Sequence, residues 1–314
     1  MGETGGGTIM KIAILSNGSG NYSTKRLKEE AENRGHEVEI IAYKKCYVSI
    51  DEKNPKVMYK GEEIDKFDVF IPRIAANMTE YGTSVVRQLE TAYPRAFFMN
   101  RSIAITRARD KLRSTQIMAK YSVAIPKTVF SRNSNDIDDL LEEIGGTPAI
   151  IKLARGTHGN GVVLAETKKA AKSVLQAFYL TNSDGTNVLI QEFIKESAGT
   201  DIRAFVVGSQ VVASMKRQSL DDDFRSNLHK GGLGEPIKLT PEEKRMAVRA
   251  AKAMGLTIAG VDLMRSARGP LVLEVNASPG FGIEKVTYRN VAGKIIDYLE
   301  RNAKRGNKKD KIGA

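Results

Sequence analysis

Residues 260–280, GVDLMRSARGPLVLEVNASPG, decide how this chain is read. An apolar run around Val261 to Met264 leads into a polar turn through Ser266, Ala267, Arg268 and Gly269. The apolar run Leu271 to Val275 then returns, so the pattern predicts a hairpin. Pro270 suits the first residue of the returning strand. Asp262 sits on the first strand, and Glu274 and Asn276 end the second. Side chains alternate along a strand, so Glu274 and Asn276 share a face. A turn near Arg268 brings Asp262 opposite them. Buried carboxylates are costly without a cation, and oxygen-only donors favour a hard ion such as Mg²⁺ shared with phosphates. The simpler reading is a pair of edge carboxylates in solvent, with Asn276 capping the turn that follows.

The rest of the chain sets limits on that reading. At 314 residues it suggests two or three domains. Its 41% hydrophobic and 27% charged content is that of a soluble globular protein. No apolar run approaches a membrane span, and residues 1–9 have neither the basic nor the apolar region of a secretion signal. Those nine residues read as a flexible leader before Met10. A single cysteine, Cys46, excludes an internal disulfide framework and fits a reducing cytoplasm; a small buried hydrophobe explains it better than a nucleophile. The formal charge of +12 favours acidic partners, such as nucleic acid, a ribonucleoprotein or an acidic peptide. Part of that charge lies in residues 303–314, read as a basic flexible tail. The absence of Trp and 6% aromatics leave little for base stacking.

Residues 10–100 alternate strand and helix: MKIAILS, a helix over about 24–34, VEIIAY and FDVFIPR. This pattern predicts a small parallel α/β domain. The loop NGSGN lacks dinucleotide-binding spacing and reads as an ordinary turn before it reads as the lining of a cleft. Arg73 closes a strand, where ligand-facing residues of open α/β sheets tend to sit. One helix is expected over 102–118, carrying Lys111 among Arg107, Arg109 and Arg113. Taken alone, charges on a solvated face explain that cluster better than a phosphate site does.

Residues 101–187 read as a central lobe. In it PAIIKLA is an apolar strand interrupted by Lys152, and a lysine there needs an anion. The segment RGTHGNG follows at once, where Gly156, Gly159 and Gly161 would let backbone N–H groups approach phosphates. His158 in this loop suits a backbone or phosphate contact. A second lobe, 188–302, opens on VLIQEFI, a strand whose end at Glu192, Phe193 and Ile194 suits an adenine ring. DIRAFVVG brings Asp201 and Arg203. DDDFRSNLHKGG carries Arg225, Asn227 and His229 in alternation. A capped helix starts at Thr240, and a last amphipathic helix over 291–302 is expected to pack the hairpin from behind.

In this order the pieces resemble the RimK family of ATP-grasp α-L-glutamate ligases from Met10 to about Asn302. ARDKLRS, DFRSNLHKGG and LEVNASPG carry the likeness most specifically. The segment PGFGIEK after that hairpin is one residue shorter than the resemblance leads one to expect. The resemblance implies an ATP-grasp fold, two α+β lobes clasping ATP, behind the small parallel domain. It implies joining of a carboxylate to an amine through an acyl phosphate, with release of ADP. It assigns Lys111 and Lys152 to ATP phosphates, Glu192, Phe193 and Ile194 to adenine, and Asp201 to ribose. Arg225, Ser226 and Asn227 would line the phosphates. Asp262, Glu274 and Asn276 would hold Mg²⁺ or Mn²⁺, two ions in all. Arg203, Arg225 and Asn276 would act at the reaction centre, in keeping with phosphoryl transfer by positioning and charge neutralisation. Arg73, Arg203 and Arg225 would meet substrate carboxylates. The implied partners are L-glutamate and an acceptor ending in glutamate, a small-subunit ribosomal protein first. A coenzyme tail or an amino-group carrier protein are the other acceptors, and a homo-tetramer is implied. A basic nucleic-acid-associated binding protein is the reading from another class.

Overall fold

The computed structural model describes residues 8–132, 136–153, 161–180, 188–197, 199–219, 233–307 and 309–312. The N-terminal unit runs β1 (Lys11–Ser16), α1 (Tyr22–Glu32), β2 (Glu37–Ala42), β3 (Cys46–Ser49), β4 (Lys56–Tyr59), β5 (Glu62–Glu63), β6 (Val69–Pro72), α2 (Thr79–Ala92) and β7 (Phe97–Phe98). Strands β2, β1, β6 and β7 form a parallel sheet in that order. Ile12, Ala13, Ile14 and Leu15 are wholly buried, as continuous apolar runs of parallel strands are. The antiparallel sheet β3-β4-β5 went unpredicted, because its strands are short and mostly half-exposed.

The single helix expected over 102–118 is two. Helix α3 (Ser102–Arg109) stops at Asp110, which is extended, with φ −89° and ψ 106°. The Asp110 carboxylate accepts from the Arg113 N–H at 2.9 Å and starts α4 (Lys111–Lys120) as its N-cap. The break makes Lys111 the first residue of a helix and separates the arginines of ARDKLRS.

Next come β8 (Thr128–Ser131), α5 (Ile137–Glu143), β9 (Ala149–Leu153), β10 (Val162–Ala165), α6 (Lys168–Leu180) and β11 (Val188–Glu192). Their antiparallel sheet has the order β10-β9-β11-β8. Strand β11, assigned from sequence to the second lobe, therefore belongs to the central one. Val188 and Ile190 of β11 share a core with α5, β9, β10 and α6, and Val129 of β8 packs against it.

The last lobe comprises β12 (Thr200–Val207), β13 (Gln210–Gln218), β14 (Leu233–Pro236), α7 (Pro241–Met254), β15 (Ile258–Ser266), β16 (Gly269–Asn276), α8 (Gly282–Thr287) and α9 (Val291–Asn302). The sheet order is β14-β13-β12-β15-β16. Thr240 and Glu243 form a reciprocal capping box at the start of α7, and Gly255 ends it at φ +77°. Ala247, Ala250, Ala251 and Met254 of α7 share a core with Ile202, Ala204, Val261 and Leu263 on one face of the sheet. It is thus α7 that backs the hairpin. Helix α9 instead shares a core with α1 and with Phe205 and Met215 on the opposite face.

Two polar devices tie the N-terminal unit to this lobe. Buried Asn100 donates to the carbonyls of Ile258 (2.7 Å) and Ala277 (3.0 Å) and accepts from the N–H groups of Thr257 and Ile258. The tail, read from composition as free, is anchored. Asn307 pairs with both backbone groups of Phe98, and Asp310 grips buried Arg107 at 2.9 and 2.6 Å. No helix of the described residues is long and apolar enough to cross a membrane.

Candidate active site

Strands β12, β13, β15 and β16 present one row of polar side chains. In the register Asp201 stands opposite Arg217, Arg203 opposite Asp262, and Asp262 opposite Glu274. The pairing of β15 with β16 slips by one residue after Asp262, because Leu273 bulges out. The expected convergence is present. Glu274 and Asn276 share a face, with the Asn276 amide donating to Glu274 at 3.0 Å.

Asp262 is not a free ligand in this arrangement. Arg203 binds both its oxygens, at 2.7 and 2.6 Å, and Arg217 reaches it at 2.9 Å. Arg217 also holds both oxygens of Asp201. Burial opposes the charge on Asp262, but Arg203 and Arg217 outweigh it and hold the carboxyl well below the usual carboxylate range. Arg203, expected to face substrate carboxylates, spends its fork on Asp262. Asp201, expected at a ribose, is paired with Arg217. Sequence reasoning passed over Arg217, although a charge at the end of the apolar strand Val211–Met215 was the same signal that picked out Lys152. Among the described residues no three His, Cys, Asp or Glu side chains form a metal cluster. The available oxygen set is Glu274, Asn276 and the paired Asp262; its hard donors fit Mg²⁺.

Across from this row stand cations. Lys111 donates to the Leu153 carbonyl at 3.0 Å, and Lys152 to the Gln191 side chain at 2.6 Å. Gln191 is in turn held by Thr128 at 2.9 Å. Lys152 is on the face of β9 away from the central core, as are Ile150, Leu189 and Gln191 across the ladder. Neither lysine has a carboxylate in contact among the described residues. Burial pushes Lys152 down to about 8, with Glu274 raising it and Lys111 lowering it. Burial lowers Lys111 and Arg109 too, and Glu274 is the carboxylate that opposes the fall in both. The site therefore holds an excess of desolvated positive charge.

This makes the pH dependence of anion binding calculable. In the free protein Lys152 loses its proton near pH 8 instead of near 10.5, whereas bound phosphate favours the charged form. ATP affinity should be flat below pH 8 and fall about tenfold per unit above it, with proton uptake on binding. Calorimetry in buffers of differing ionisation enthalpy reads both. Affinity independent of pH between 7 and 9.5 would return Lys152 to a structural role. The same shift has a stability sign: between pH 8 and 10.5 the unfolded chain binds the extra proton, so the free protein gains stability as pH rises.

Glu192 accepts from the Lys127 N–H at 2.6 Å and from Arg268 in the hairpin turn, which fixes the connection between lobes. Phe193 is half-buried and Ile194 buried beyond the end of β11. Gly161, at φ +71°, bends the chain where a Cβ would lie 2.7 Å from Leu153. Gly156, His158, Gly159, Arg225, Ser226, Asn227 and His229 lie outside the described residues.

Comparison with known proteins bears on this geometry. Residues 10–105 match the RimK PreATP-grasp domain and residues 108–299 the RimK-like ATP-grasp domain. A probable alpha-L-glutamate ligase of Picosynechococcus sp. is 56% identical over 304 residues, which cover 96% of this chain and 99% of that one. Another from Hydrogenovibrio crunogenus is 54% identical, over 96% and 98% of the two chains. Among solved structures, the ATP-grasp ligase PsnB complexed with minimal precursor, Mg and ADP superposes with a TM-score of 0.71 at 21% identity, covering 94% of this chain and 98% of its own. A RimK domain ATP-grasp protein of Sphaerobacter thermophilus gives 0.67 at 19%, over 92% and 98%. At those identities the structures speak to fold alone, and the fold is ATP-grasp. With both of its domains matched and close relatives along its length, the chain belongs to the RimK-like ATP-grasp family.

Proposed function

We propose that the protein is an ATP- and Mg²⁺-dependent carboxylate–amine ligase that adds L-glutamate to the C-terminal glutamate of a protein or peptide. The observation that carries this reading is the excess of desolvated cations, Lys111, Lys152 and Arg109, around Glu274, the one exposed carboxylate among the described residues that acts on all three. Such a site is built for a polyanion and a metal, and among the described residues it offers no side-chain nucleophile. Lys111 and Lys152 would take phosphate oxygens, and Ile150 and Leu189 would lie under the base. Glu274 and Asn276 would hold Mg²⁺ with Asp262 behind them, and the metal would neutralise charge on the phosphates. Arg203 and Arg217 keep Asp262 ionised and in register for that task. The relatives named probable alpha-L-glutamate ligases support glutamate as the amino acid. The formal charge of +12 suits an acidic acceptor, and a ribosomal protein in particular.

The test is incubation of the protein with ATP, Mg²⁺, a peptide ending in glutamate and each amino acid in turn. ADP release and a mass gain should appear with L-glutamate. A product that ends in glutamate resembles its own acceptor, so a ladder spaced by one glutamyl residue is expected. The ladder should shorten at high salt, where screening loosens the grip on an acidic tail. A single addition insensitive to salt would refute the repeated addition, and incorporation of another amino acid would refute the substrate. Tight nucleic-acid binding without ATP turnover would favour the binding-protein reading instead.

A further inference from the structure

Two guanidinium groups, one just after β6 and one at the end of α3, stand near each other with no carboxylate paired to either among the described residues. Arg73 follows β6; it donates to the Pro279 carbonyl at 2.5 Å and lies 5.0 Å over the Phe281 ring. Arg109 ends α3 and donates to the carbonyl of Ile74, the residue after Arg73, at 2.9 Å. A carbonyl orients a guanidinium without neutralising it. The Arg109 Nε is buried and finds no acceptor. Among the described residues the other buried side-chain atom left so is the Ser278 hydroxyl, one residue before the carbonyl that holds Arg73. Burial, and then Arg109 itself, pushes Arg73 down to about 10; burial also lowers Arg109. Two like charges have been partly desolvated together, which an empty protein does not favour and a bound anion reverses.

The nature of that anion follows from the donors. Planar forks fit carboxylates, and two of them fit two carboxylates. The pair sits on the N-terminal side, close to Tyr43. The Tyr43 hydroxyl accepts from the Ala75 N–H at 3.0 Å and is hydrogen-bonded by Asn17 of the NGSGN loop. Arg203 is already spent on Asp262, so the dicarboxylate must be met elsewhere. We propose that Arg73 and Arg109 form the subsite for the two carboxylates of the incoming amino acid, and that this pair selects L-glutamate over its uncharged analogues. The proposal rests on the glutamate-ligase reading, and it adds the residues that recognise the donor.

The experiment compares wild type with Arg109→Gln, Arg73→Gln and the conservative Arg109→Lys. Calorimetry first measures L-glutamate and glutarate binding, with ATP binding as a control on the fold. Each Gln variant should weaken both dicarboxylates about 10- to 100-fold, as loss of a charge-assisted hydrogen bond does, while ATP affinity stays within about twofold in Arg73→Gln, the variant that keeps every cation around Glu274. Arg109→Lys should fall between. In turnover, KM for glutamate should rise with kcat little changed, and the preference for glutamate over glutamine should collapse. Unchanged KM and preference in both Gln variants that still bind ATP would overturn the subsite. Wild type that binds glutarate through these arginines yet ligates no glutamate would overturn the glutamate-ligase reading and leave the dicarboxylate site standing.

Discussion

Replacing Glu274 by Ala should lower Mg²⁺-dependent ATP turnover by about a thousandfold, at the upper end of what loss of one preorganised electrostatic group costs. Glu274 is the carboxylate that balances Lys111, Lys152 and Arg109, and its side chain is 52% exposed. Its removal therefore leaves no cavity, and losing its charge from among these cations should lower the thermal melt only modestly. Metal-free ATP provides a second reading with the opposite sign. Taking a negative charge from among these cations should not weaken its binding, whereas the Mg²⁺ dependence should vanish. ADP release at varied Mg²⁺ measures the first effect and calorimetry in chelator the second. Turnover at the wild-type level would remove Glu274 from the metal site.

Asp262→Ala should be different in kind, a stability defect as well as a catalytic one. Asp262 is 3% exposed and bridges Arg203 to Arg217 at the centre of the sheet. Removing it leaves two guanidinium groups facing each other, Arg217 with Asp201 and Arg203 with Glu274 at 3.9 Å. Breaking a buried pair in this way costs about 3–5 kcal/mol, far more than the pair contributes against an apolar substitute. Urea unfolding should show the loss, and a variant within about 1 kcal/mol of wild type would show that the row tolerates the missing charge.

The hairpin was legible because three independent signals agree over it: period-two alternation, a turn of small and polar residues, and polar oxygens at matching offsets. The N-terminal sheet was legible for a similar reason, since buried parallel strands are continuous apolar runs. What the sequence hid were pairings between residues far apart along the chain. Lys152 stands out as a charge in a strand, but its partner Gln191 becomes visible only once β9 and β11 are neighbours. Arg107, Arg109 and Lys111 look like one basic cluster on a continuous helix. The Asp110 break sends Arg107 to Asp310 in the tail, Arg109 to Ile74 and Lys111 to Leu153. The tail misled for the same reason: its composition supports no core, yet Asn307 and Asp310 find backbone and charge partners already in place. A carboxylate in the register of a metal site also cannot disclose from sequence that Arg203 and Arg217 hold it.

The division of the apolar interior bears on the thermodynamics of clasping a nucleotide. Of the three cores, one is confined to the central lobe, while the other two both join the N-terminal unit to the last lobe. The seam that would open for ATP is crossed by polar contacts such as Lys111 to Leu153 and Arg268 to Glu192. Swinging the central lobe outward therefore uncovers hydrogen-bonding groups and, beyond the few apolar side chains of its outer face such as Ile150 and Leu189, none of its core. Apolar exposure is what gives unfolding its large positive heat capacity, so this motion carries almost none. Its equilibrium is then nearly indifferent to temperature through that term and open to adjustment by charge, which is what an arriving triphosphate brings.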